Sequence, residues 1–276
     1  MRLIDFFGKT VKPYKLRGCG IFHTRSTGKV DDNIYSLAQW DVNYYAFQKG
    51  TDVILIDSGY DNYPHPERNE AKIGLEPDWV KAVFLTHADM DHAGGVIDTN
   101  NRFKNATVYI HEKERDMLSG VEKRFKKGPF GFKNPIRRTS GYKLLKDHDV
   151  VHVGEIKVQL IHTPGHTYGH SAYIVEDRVL FTGDAIAVNE KGGYCFFNFY
   201  NMDTRLNIQS LKKLKNICRQ YDIDTICTAH SGVWHDIEHV FRNIETVAVG
   251  TKKKPFDRSA PRDIFSSTVN GTAPER

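Results

Sequence analysis

The chain has 276 residues, 39% of them hydrophobic, a formal charge of +5 and four cysteines. That length holds one large domain or two small ones and buries a core without disulfides. The apolar runs are short and scattered. None approaches the roughly 20 residues of a membrane-spanning helix, and Met1 to Lys9 carries an early acid and too short an apolar run for a secretory signal. Cys19, Cys195, Cys218 and Cys227 lie far apart with no Cys-x-x-Cys spacing, the usage of reduced thiols in a cytoplasmic protein. The mild positive charge suits an anionic substrate and argues only weakly for nucleic acid.

The first clear strand is Thr51 to Gly59, an apolar run closed by turn residues. Val80 to Leu85 is the second. It runs straight into Thr86-His87-Ala88-Asp89-Met90-Asp91-His92-Ala93-Gly94-Gly95, which places two imidazoles and two carboxylates in six consecutive positions. In extended backbone residues 87, 89 and 91 point the same way, and His92 then turns at the start of a helix. Thr107 to His111 is a third strand. Val121 to Lys133, continuing to Arg137 and Arg138, is basic and aromatic. It suits a solvated face, or a mobile lid whose Lys and Arg steer an anionic substrate.

Ile156 to His162 alternates as a half-buried strand does, and His166 follows it in Thr163-Pro164-Gly165-His166-Thr167. Ser171 to Glu176 and Arg178 to Thr182 form a hairpin through Asp177, followed by Gly183-Asp184. Tyr194 to Tyr200 is strongly aromatic and reads either as a buried strand or as an apolar wall beside a site. In the second case Tyr194 or Tyr168 supplies a hydroxyl near a reacting carbonyl. Asp203 caps a helix from Thr204 to Tyr221 whose Leu206, Ile208, Leu211, Leu214, Ile217 and Cys218 share a face. Asp224 to Ala229 is the last clear strand and delivers His230. Ile237 to Val249 reads as a final helix ending at Gly250. Residues 1–250 thus read as one α/β (α+β) domain, and 251–276 as a Lys-, Pro-, Ser- and Thr-rich tail, docked or partly disordered.

The recurrence of "apolar strand, then His or Asp" is the signature of a rigid, convergent metal site. The motifs together resemble the metallo-β-lactamase superfamily: His-x-His-x-Asp-His, a distant His, a distant Asp and a last His. Leu160 to Tyr173, Phe181 to Asp184 and the early Asp57-Ser58-Gly59 resemble it as well. The resemblance implies a four-layer αββα sandwich of two mixed sheets flanked by helices. It also implies a first metal on His87, Asp89 and His166, a second on Asp91, His92 and His230, and Asp184 bridging both. Asp57 would support the site without binding metal, and His170 would be a supporting histidine rather than a ligand. One position departs from the pattern: Asp89 stands where the family has its middle His. The extra carboxylate makes the site less electrophilic and harder, so zinc is the first expectation, with iron or manganese as alternatives.

The function expected from these residues is hydrolysis of a small ester, lactone or thioester by a hydroxide held between two divalent metal ions. Asp91 or Asp184 would move the proton, and Tyr194 would stand near the reacting carbonyl. One alternative is a di-iron protein that binds or reduces dioxygen or nitric oxide, raised by Asp89. A second is a phosphodiesterase or nuclease-like hydrolase, raised by the basic segment. The expected partner is a small-molecule substrate, with no membrane and with nucleic acid disfavoured; a homodimer is admissible.

Overall fold

The computed structural model describes residues 23–127, 130–134 and 136–248; Cys19 and the tail 251–276 lie outside them. Seven strands form the first sheet, in the order Gly28–Lys29, Ile34–Gln39, Val42–Lys49, Asp52–Ile56, Val80–Phe84, Thr107–His111 and Tyr142–Leu145. The first four pair antiparallel and the rest parallel. Six strands form the second sheet, in the order Val150–Val153, Ile156–His162, Ser171–Val175, Val179–Phe181, Thr225–Cys227 and Val233–Trp234. Only the pairing of Val179–Phe181 with Thr225–Cys227 is parallel.

Strand periodicity explains the layering. Ile54 and Ile56 point inward with Ala82 and Phe84, against Val158, Leu160, Tyr173, Val175 and Phe181 of the second sheet. Their neighbours Val53, Leu55 and Val83 point outward with Val108 and Ile110, onto Met90, Met117 and Leu118 of short helices. On the far side Ile161, Ile174, Leu180 and Ile226 meet Leu211, Leu214, Ile217 and Cys218. Both faces of each sheet are therefore buried, which is why the strands read as continuous apolar runs rather than strict alternations. The result is the αββα sandwich, with sparse helices on one side: Glu67–Lys72, Met90–Ala93 and Arg115–Leu118.

Helix Thr204–Gln220 is the long one, and Asp203 caps it by accepting from Leu206 N at 3.0 Å. The expected final helix is corrected. Only Ile237–Val240 is helical, and Asn243–Val247 is a strand paired parallel with Gly192–Cys195. The apolar spacing of Ile237, Val240, Phe241 and Ile244 matches a helix, but pairing with a neighbouring strand outweighs that local preference. No helix among the described residues is long and apolar enough to cross a membrane.

Candidate metal centre

The candidate ligands, and Asp57 that supports them, follow strand ends at one edge of the sandwich. Asp57 follows Asp52–Ile56, His87 follows Val80–Phe84, His166 follows Ile156–His162, Asp184 follows Val179–Phe181, and His230 follows Thr225–Cys227. The seven residues read from the sequence come together. His87, Asp89 and His166 form one group, Asp91, His92 and His230 another, and His87, His92 and Asp184 a third that joins them, each with donor atoms within 4.8 Å of one another. Asp184 Oδ1 lies 3.2 Å from His92 Nε2 and 3.1 Å from His230 Nε2, and its Oδ2 lies 3.5 Å from His166 Nε2. Asp89 Oδ2 lies 3.4 Å from His87 Nε2 and 3.3 Å from His166 Nε2.

The local backbone differs from the expected run of alternation. Asp89 is extended (φ −67°, ψ 153°) and precedes the helix Met90–Ala93, so Asp91 is presented from the first helical turn rather than from a continued strand. The amides of His92 and Ala93 bond Asp89 O at 3.0 and 2.9 Å and fix that turn.

Every candidate-ligand imidazole is held by its Nδ1. His92 Nδ1 donates to Asp57 Oδ2 at 2.8 Å. His87 Nδ1 donates to Thr86 Oγ1 at 3.0 Å, and that hydroxyl in turn donates to Asp57 Oδ2 at 2.9 Å. His166 Nδ1 faces Asn201 Oδ1 at 3.3 Å, and His230 Nδ1 donates to the Asp41 carbonyl. With Nδ1 protonated in each ring, all four Nε2 lone pairs face the centre, the tautomer that a metal requires. Among the described residues, His87 Nε2, His92 Nε2 and Asp184 Oδ1 are buried with no hydrogen-bond partner. Orphaned acceptors of this kind are costly unless a cation completes them, and the donor set of imidazoles and carboxylates fits a divalent ion.

The electrostatics say the same. Burial works against a charged His92, yet Asp184, Asp57 and Asp91 outweigh it and raise the His92 pKa well above its ordinary value. Burial also opposes the Asp184 charge, but His230 and His92 hold its carboxyl well below the usual range. A pocket that holds a proton on His92 competes for it with an ion. Metal binding must displace that proton, so affinity is expected to rise with pH and to fall as pH drops through and below neutrality. Chelator-competition titrations at several pH values check this; a flat profile would contradict it.

Several supporting residues carry no sequence signal. Glu114 is fully buried and accepts from Ala88 N at 2.9 Å and Gly169 N at 3.0 Å, tying together the loops that bear Asp89 and His166. His170 behaves as expected of a supporting residue: its Nε2 accepts from Asp184 N at 3.1 Å. Gly183 adopts φ +52°, and a Cβ there would sit 2.7 Å from His170 Nε2 and 2.8 Å from Thr86, so only glycine admits this approach. Tyr194 is half-buried in an aromatic cluster with Phe196, Phe197 and Tyr200, and Tyr168 is exposed. The basic segment contains a hairpin of Lys123–Lys127 and Phe130–Lys133. Arg138, at its end, is buried and donates to the Val96 and Gly141 carbonyls, so it serves the fold rather than solvent.

The fold and the donor set define a scaffold suited to holding divalent metal. The family model of the metallo-β-lactamase superfamily matches residues 37–230, and the chain belongs to that superfamily. An N-acyl homoserine lactonase of a Bacillus species is 31% identical over 154 residues, covering 53% of this chain and 54% of the relative. A hydroxyacylglutathione hydrolase of Buchnera aphidicola is 28% identical over 142 residues, 51% of this chain and 48% of that one. The chain thus spans about half the length of these curated relatives. Among solved structures, a B3 metallo-β-lactamase with an active-site glutamic acid superposes with a TM-score of 0.59 at 19% identity, covering 81% of this chain and 87% of that one. The Rm3 metallo-β-lactamase gives 0.57 at 22% identity, covering 77% and 81%.

Proposed function

We propose that the chain is a metal-dependent hydrolase of small esters, with lactones first among them. The observation that carries this is the inward set of four Nε2 atoms and three carboxylates, each imidazole fixed from behind. Divalent metal held within the cluster of His87, Asp89, Asp91, His92, His166, Asp184 and His230 would polarise the substrate carbonyl and acidify a water. Asp91 or Asp184 would accept the proton released by that water and return it to the leaving oxygen. The Phe196 ring stands 5.3 Å from the His166 ring and 5.8 Å from that of His230, and Phe197 and Tyr200 continue the apolar surface. Such a wall suits the hydrocarbon part of an ester and excludes water from the reacting centre. Tyr194, at the edge of that cluster, is assigned to hydrogen-bond the substrate carbonyl oxygen. The lactonase relative supports the choice of substrate class.

A panel of chromogenic lactones, esters and phosphodiesters tests the proposal. Lactone or ester turnover is expected, abolished by chelation and restored by zinc. Tyr194→Phe should lower kcat by about 10-fold or more at unchanged metal content. Turnover indifferent to chelator, or confined to phosphodiesters, would sink the reading. Asp89 favours one other reading, a di-iron redox centre, because a carboxylate is a harder ligand than imidazole. Visible absorption of the iron-loaded protein, together with dioxygen or nitric oxide consumption and no hydrolysis, would select it.

A further inference from the structure

Arg124 comes from the basic hairpin, yet it is only 3% exposed. Its Nε donates to Asp89 Oδ1 at 2.5 Å, and its Nη2 donates to His166 Nε2 at 3.0 Å and to the Tyr200 carbonyl at 2.9 Å. The His166 contact is the telling one. Asn201 directs its amide nitrogen to the Phe196 carbonyl at 3.0 Å, so its Oδ1 faces His166 Nδ1, which carries the ring proton. His166 Nε2 therefore offers a single lone pair, and that lone pair receives a guanidinium N–H. One lone pair serves an arginine or a metal ion, not both.

We propose that Arg124 is the resident cation of the His87–Asp89–His166 half-site, and that the chain binds one divalent ion tightly, in the half-site of Asp91, His92, His230 and Asp184. This rests on the metallo-hydrolase reading above. It accounts for the departure at position 89. A carboxylate forms an ion pair with a guanidinium and brings the compensating negative charge, which the family's neutral imidazole lacks. Asp89 and Arg124 are thus a matched pair, and the substitution is intelligible only with its partner. Charge balance agrees. One dication and one guanidinium neutralise Asp89, Asp91 and Asp184, whereas a second dication added beside Arg124 would leave an excess of two positive charges before any water is deprotonated. The other half-site differs, because the groups facing Asp184 Oδ1 there are the imidazoles of His92 and His230. In this arrangement the guanidinium takes the place of a second ion as the fixed positive charge beside the substrate oxygen.

The test is metal stoichiometry of the full chain, equilibrated with excess zinc, desalted and measured by elemental analysis, with chelator competition for the affinities. Wild type is expected to retain one zinc per chain, with any second ion about 10-fold or more weaker. Arg124→Met should retain two, and Arg124→Met combined with Asp89→His should hold the second more tightly. Two zinc ions of equal affinity in wild type would overturn the proposal and leave the hydrolase reading standing. One zinc in both wild type and Arg124→Met would overturn it equally. No zinc in either protein would sink both. Should Arg124→Met not fold, the wild-type titration still decides.

Discussion

Asp184→Ala is expected to strip bound divalent metal and to lower kcat/KM by about 10³-fold or more. Asp184 is 3% exposed, and its two oxygens face imidazoles of both half-sites, Oδ1 toward His92 and His230 and Oδ2 toward His166. No other carboxylate of the cluster is shared in that way by the groups within reach of one another. The same substitution also breaks the buried pairing of Asp184 with the imidazoles of His92 and His230, so the metal-free protein should lose some stability as well. Elemental analysis, kinetics and thermal unfolding of the metal-free form together separate a role in the site from a role in the fold. Retention of the wild-type metal content would refute the assignment.

Asp57→Ala should also damage fold and site at once. The Asp57 carboxylate accepts from Thr86 N at 2.8 Å and Thr86 Oγ1 at 2.9 Å, and it orients His92 through Nδ1 at 2.8 Å. Its removal orphans the buried Thr86 amide and the His92 ring, a loss of about 3 kcal/mol or more. Asp57 also sits at φ +63°, which aspartate tolerates better than alanine does. Metal affinity should fall by about 10- to 100-fold, since His92 no longer has its ring fixed from behind. Denaturant unfolding and chelator competition measure the two effects. Unchanged metal affinity in the variant would show that His92 is positioned by something other than Asp57.

The parts of the fold legible in the sequence are those with strong local contrast. Val80–Phe84, Thr107–His111 and Ile156–His162 stand out because each is an apolar run closed by polar or turn residues. The candidate ligands were legible for a related reason: His and Asp at successive strand ends have no packing role to explain them, and the structure brings them together. Asn243–Val247 was not legible, because its side chains repeat at helical spacing and only the pairing with Gly192–Cys195 settles the matter. Arg124 was hidden more deeply. It is one cation in a basic run that reads as a solvated face or a lid, and its partner Asp89 lies 35 positions away. Glu114, Asn201 and the Asp41 carbonyl share that difficulty, since each acts on a loop distant in sequence, and nothing in the neighbouring residues marks it.

The two hydrogen bonds that Glu114 accepts from the Ala88 and Gly169 amides have a consequence for how the centre is assembled. Two stretches of chain that would otherwise drift separately are clamped at a fixed separation by one carboxylate, with no ion required. The coordination cage is therefore rigid before anything enters it. An incoming ion finds its donors in place, and its affinity is not diminished by an ordering penalty. Unlike a small zinc-dependent fold, which collapses when its metal is withdrawn, this chain should keep its shape through cycles of chelation and reloading.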